Sequence, residues 1–186
     1  EPLQNGFHKV FAFPRAAGWQ YQLDDVPVVV ATYEVGAAQK LFEAGPAKVS
    51  AVPQLGVTTG NLFRDVHLSL LVRAGTLATL RYGPDQMRTG YSGLPLARND
   101  RMHGGQWALW GGVEGREVFY NRLLQGDRDH PGVERQRQGL DVMVGGALAL
   151  SPHWLIQGTA LDRHREFVGQ PSHDRYGGVS IVRTGF

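Results

Sequence analysis

The chain has 186 residues, 19 Lys and Arg against 17 Asp and Glu, and no cysteine. That length allows one domain with a real core, and the near-balance of charge gives no reason to expect a nucleic-acid partner. Missing thiols exclude disulfides, zinc–thiolate centres and cysteine nucleophiles, and no apolar run approaches the roughly 18 residues of a transmembrane helix.

The opening segment, EPLQNGFHKVFAFP, differs from everything after it. Leu3, Phe7, Val10 and Phe11 fall on one helical stripe, which predicts a short amphipathic helix ended by Pro14. From about residue 26 the period changes to two. PVVVATYEV (27–35) is β-branched and strand-like, and AKVSAVPQLGVTT (47–59) is a second strand blemished by Pro53. NLFRDVHLSLLVRAG (61–75) alternates clearly: Val66, Leu68, Leu70 and Val72 point one way, Asp65, His67, Ser69 and Arg73 the other, with Leu71 as an exception on the polar side. A loop rich in Gly, Pro, Asn and Asp follows to about residue 105. Four more strands lie in 106–122, 136–150, 153–167 and 173–186. In the second of these, Leu140, Val142, Val144, Leu148 and Leu150 share a face, and Arg137, Asp141 and Met143 share the other.

Seven long strands, each with one apolar and one polar face, fit two architectures of opposite burial. One is a soluble lipocalin-like calyx with its apolar face inward; the other is an antiparallel transmembrane β-barrel with its apolar face toward lipid. Full charges in mid-strand (Asp65, Arg73, Glu114, Arg116, Arg137, Asp141) suit a crowded polar lumen. Trp107, Trp110, Phe119, Tyr120, Trp154 and Tyr176 lie mostly toward strand ends, as an interfacial girdle would. The chain stops on Phe186, an aromatic at the tip of its last strand. The membrane barrel is the favoured reading, with the obstacle that single-chain bacterial barrels have even strand numbers.

Four stretches carry a family resemblance. QNGFHKVFAFPRAAGWQYQL (4–23) holds a Gln-x-x-x-His pair and then Gly18-Trp19. TTGNLFRDVHLSLLVRAG (58–75) holds a Gly-Asn turn and an Arg-x-Gly strand end. REFVGQ (165–170) precedes the final strand, which closes on Phe186. In order and spacing they resemble the C-terminal part of the LpxR-like lipid A 3′-O-deacylases, across essentially the whole sequence. The resemblance implies an all-β outer-membrane barrel of twelve strands. This chain would supply about seven C-terminal strands in residues 26–186, within one partial barrel domain. Residues 1–25 would be an extracellular active-site loop with a short helix. The odd count and the start at Glu1 would then share one cause.

The resemblance also implies an activity: hydrolysis of the ester that holds the 3′-linked acyloxyacyl chain of lipid A. His8 would be the general base that activates water, and Gln4, one helical turn before it, would support it. Calcium would be the cofactor, its ligands expected in strands outside this sequence. Partners would be lipid A or lipopolysaccharide, outer-membrane lipid and the barrel-assembly machinery. Asn99-Asp100 sits in a polar loop and is not taken as the family's catalytic Asn-Asp pair. Arg165, Glu166 and Gln170 are expected to fix the last loop rather than touch the ester. Residues 1–25, 122–135 and 167–174 and the Gly60-Asn61 turn fall on the extracellular side, and 76–104 on the periplasmic side. Without the family, a lone His on a short amphipathic segment is more often a packing residue, and a non-enzymatic pore or adhesin stays open beside the esterase.

Overall fold

The computed structural model describes residues 27–77, 102–126 and 131–183. They form one antiparallel sheet. Its segments are β1 (Val30–Gly36), β2 (Gln39–Ala44), β3 (Ala47–Gly60), β4 (Phe63–Gly75), β5 (Trp107–Asn121), β6 (Gln138–Ser151), β7 (Trp154–Arg163) and β8 (Asp174–Arg183), with a helical turn α1 (Arg122–Gln125) after β5. The pairing order is β1-β3-β4-β5-β6-β7-β8, and β2 also pairs with β3. Among the described residues nothing pairs β1 with β8, so the sheet is open. The expected N-terminal helix lies outside the described residues.

Eight segments occupy seven positions, because β1 and β2 are two halves of one broken edge. Gly36 ends β1 opposite Gln54, and Gln39 begins β2 opposite Ala51. Pro53 sits between those partners. The N–H and C=O of a strand residue point to the same side, and the Pro53 carbonyl accepts from Ala37 N at 3.4 Å. The donor that proline lacks therefore faces the edge, and the edge breaks there. The blemish noted in the sequence lies in β3, but its effect falls on the neighbour.

The faces of the wall are inverted relative to a soluble protein. Leu68 is 62% exposed and Val144 56%, with Leu70, Val72, Val113 and Val142 on the same outer face. His67 is 5% exposed and Asp141 1%, and Ser69, Arg73, Glu114 and Gln157 are also buried. The calyx reading needed the Val66–Val72 stripe sealed inside, and the geometry overturns it. Apolar residues outside and charges inside fit hydrocarbon around the wall.

The inward face has two tiers. Toward the end where β3 meets β4 it is polar. Toward the other end Val52, Leu71, Met143, Leu155 and Leu161 pack with Ala108 and Ala147, and Leu77 and Met102 join them from the two ends of the β4–β5 connection. Leu71 thus belongs to an apolar tier and is no exception. Trp107 and Trp154 open β5 and β7 at this end on the outer face, and the Arg183 guanidinium lies 5.9 Å from the Trp154 ring. Phe119 and Tyr120 mark the opposite end, Tyr120 beneath Arg64. Two girdle assignments are corrected. Trp110 turns inward over Gly145, where any β-carbon would meet its indole. Tyr176 shares the inward face of its partner Leu161. Arg137 also differs from expectation: it precedes β6 and pairs with Glu117 at 3.2 Å, outside any strand interior.

Leu70→Arg, at the middle of the outer face of β4, is expected to destabilise the full-length protein by about 2–4 kcal/mol in lipid. Equilibrium unfolding from vesicles measures it; an unchanged midpoint would mean that this face does not meet hydrocarbon.

Candidate functional site at the polar end of the wall

Four stretches converge at the polar end: residues 27–29, the Asn61 turn, α1 with 126 and 131–137, and 164–173. Asn61 fastens the first of them. Its Oδ1 accepts from Val29 N at 2.9 Å, its Nδ2 donates to Pro27 O at 2.7 Å, and its own N donates to Val29 O at 3.1 Å. The chain therefore joins the wall from residues 1–26 at this end. An asparagine suits the role because one side-chain amide donates and accepts at once.

The other two connections lock onto each other. Gln136 N donates to Glu166 O and Val168 N to Glu134 O, both at 2.7 Å. Glu166 N donates to Gln170 Oε1 at 2.7 Å, and Gln170 Nε2 to Asp174 Oδ2 at 3.2 Å. Arg163 pairs with Glu166 at 2.7 Å, and Arg165 Nη2 donates to Pro171 O at 3.3 Å. Glu166 and Gln170 thus hold the last loop together, as expected. Asn121 Oδ1 caps α1 by accepting from Leu123 N at 3.0 Å. Between these loops and the strand ends lies a small open depression lined by Arg116, Asn121, Gln136, Arg165 and Glu166 among others.

Beneath the loops the inward charges pair sideways along the wall. Arg116 holds Asp141 with two guanidinium contacts, at 2.9 and 3.3 Å, and Asp141 also accepts from His164 N at 3.0 Å. His67 Nδ1 lies 3.0 Å from Asp65 Oδ1, and Nε2 lies 2.9 Å from Glu34 Oε1. Ser69 Oγ donates to Gln54 Oε1 at 3.1 Å. On the outer face of the rim, Asp162 receives both His173 Nδ1 and Arg175 Nε at 2.6 Å, and the His173 ring stands edge-on to His164 with 4.9 Å between centroids.

This lining is poorly suited to activate water. A general base needs a lone pair aimed at a proton, and His67 spends both ring nitrogens on carboxylates. Among the described residues no group of three or more His, Asp or Glu side chains could hold a metal ion. Asp65 and Glu34 face His67, and Asp141 faces Arg116, so they do not fit the expected calcium. The sequence-predicted site residues His8 and Gln4 lie outside the described residues, with Trp19, the Asn99-Asp100 pair and Phe186. Sequence reasoning missed the Glu34–His67–Asp65 group. Its only local signal was the Asp-x-His alternation, because Glu34 arrives through strand register.

A family model described as "Outer membrane protein LpxR" matches residues 1–184. Among solved structures, LpxR from Salmonella typhimurium superposes with a TM-score of 0.80 at 22% identity, covering 98% of this chain. The chain spans 60% of that protein's length. No curated protein matches.

Arg116→Ala would leave Asp141 buried without its guanidinium. The expected cost is about 3–5 kcal/mol, seen as a lower temperature for loss of the compact, heat-modifiable gel band. An unaltered transition would show that the pair carries no structural weight.

Proposed function

The chain belongs to the outer membrane protein LpxR family, and on that premise we propose that it is part of an outer-membrane esterase that removes the 3′-linked acyloxyacyl chain of lipid A. The family match, which runs through residues 1–26 as well as the wall, carries the reading. The Asn61 fastening supports it by placing the junction with those residues at the polar end of the sheet. That end is then the extracellular side, where lipid A lies.

In this reading His8 accepts a proton from water. An imidazole does so near neutral pH, its unperturbed pKa being about 6.5. The resulting hydroxide adds to the ester carbonyl. The bond between that carbon and the sugar 3′-oxygen then breaks, and the oxygen leaves as the alcohol with the proton that His8 had taken. The acyloxyacyl chain is released as a carboxylic acid that ionises. Gln4 orients the ring or the substrate. A water nucleophile needs neither serine nor cysteine, which suits a chain with no cysteine. Calcium is part of the reading through the family likeness alone, and no step is assigned to it. Lipopolysaccharide is the substrate partner, and the barrel-assembly machinery is the partner in insertion.

The described wall has two free edges, and unpaired backbone groups are costly in hydrocarbon. This length of chain by itself is therefore expected to be inactive. In the full-length protein, His8→Ala is expected to abolish release of the acyl chain, read by mass spectrometry of lipid A, with the heat-modifiable band retained. Retained turnover would remove His8 from the role. A non-enzymatic barrel is the second reading. It is favoured by one observation, that the charges among the described lining are paired with one another, and it predicts no lipid A product from the full-length protein.

A further inference from the structure

The Glu34–His67–Asp65 group is built across three strands. Glu34 on β1 pairs in register with Gly56 on β3, and Gly56 pairs with His67 on β4. The imidazole crosses β3 to reach Glu34, and it can do so only because Gly56 has no side chain. A β-carbon there would collide with both the ring and the Glu34 side chain. Any other residue at 56 would force the ring aside.

The chemistry of the contacts fixes a protonation requirement. An ionised carboxylate only accepts hydrogen bonds. His67 meets one such oxygen at each ring nitrogen, at 3.0 and 2.9 Å. Both contacts are complete only when both nitrogens carry hydrogen, that is, when the ring is an imidazolium. The surrounding charges agree with a cation. Asp65 comes from β4 itself and Glu34 from β1. From β5 come Glu114, opposite Ser69, and Arg116, opposite His67, whose guanidinium turns away to Asp141. The inward neighbours on β3, Gln54 and Thr58, do not titrate.

We propose that His67 is a positioning residue: its imidazolium, shared between Glu34 and Asp65, locks β1 to the sheet and so fixes the point where residues 1–26 join the wall. Asn61 fastens the chain just before β1, and His67 fastens the strand itself. The lock is complete while the ring is protonated and both carboxylates are ionised, and it loses one of its two contacts as pH rises and the ring gives up a proton. A His8 base alone works in the opposite sense, gaining activity as pH rises. The two together give a bell-shaped profile whose alkaline limb belongs to His67.

Glu34→Gln tests this. The glutamine amide can donate to Nε2 of a neutral ring whose Nδ1–H still reaches Asp65, so the lock should persist without its second proton. In the full-length protein in detergent micelles, ¹⁵N shifts of the His67 ring should show both nitrogens protonated at pH 7. The unfolding temperature should fall between pH 6 and pH 9, with a roughly tenfold loss of the fastened population for one charge-assisted hydrogen bond. Glu34→Gln should flatten both that fall and the alkaline limb of lipid A hydrolysis. A neutral His67 at pH 7 would overturn the proposal, as would a variant that keeps the wild-type pH dependence of unfolding. The activity arm rests on the His8 reading, whereas the spectroscopic and unfolding arms do not. A protein with no hydrolysis but a flattened unfolding profile would sink the esterase and leave the lock standing.

Discussion

Hydrocarbon offers no hydrogen bonds, and nearly everything in this wall follows from that. Every backbone donor and acceptor at membrane depth must find a partner in the next strand, which makes long antiparallel strands the natural answer and makes a single proline costly. The same solvent reverses the usual burial rule. Leucine and valine earn nothing by hiding from an environment as apolar as themselves, so they cover the outside, and the space inside is left to side chains that need company. The polar tier is therefore forced into pairs. His67 with Glu34 and Asp65, Arg116 with Asp141 and Ser69 with Gln54 are the form that a crowded interior takes when charge cannot reach water.

The wall also has two unlike ends. The apolar tier around Leu71, Met143 and Leu155 fills the inward face at the opposite end, together with Leu77 and Met102. At the polar end the loops pair with one another, and Asn61 binds the chain that comes from residues 1–26. In the proposed reading, membership of an outer-membrane family turns this asymmetry into an orientation, with the loop-bearing end on the side of the substrate.

Much of this was legible in the sequence, and the reason is period. Alternation in 61–75 and 136–150 marked β4 and β6 within two residues, and opposed apolar and charged faces named the solvent once the burial was seen. What stayed hidden depended on register or depth. β2 was invisible because its cause, Pro53, sits on another strand. Leu71 looked like an error because alternation reports which face a residue occupies and not how deep it lies along that face. Trp110 looked interfacial for a different reason: it was placed by its nearness to a strand end, and its face, which is inward, was not considered. Glu34 and His67 stand 33 residues apart, and only the register of β1 on β3 and of β3 on β4 brings them together. The candidate catalytic histidine was found by the opposite route, through resemblance, and its local pattern alone would have passed for packing.

The way charges pair here bears on how such a wall comes into being. Arg116 lies along Gly139 toward Asp141 on the adjacent strand, and His67 lies along Gly56 toward the strand beyond, so each cation is neutralised by a near neighbour on the same sheet. For these two cations, then, neutralisation needs only strands of the described sheet and does not wait for its free edges to find partners.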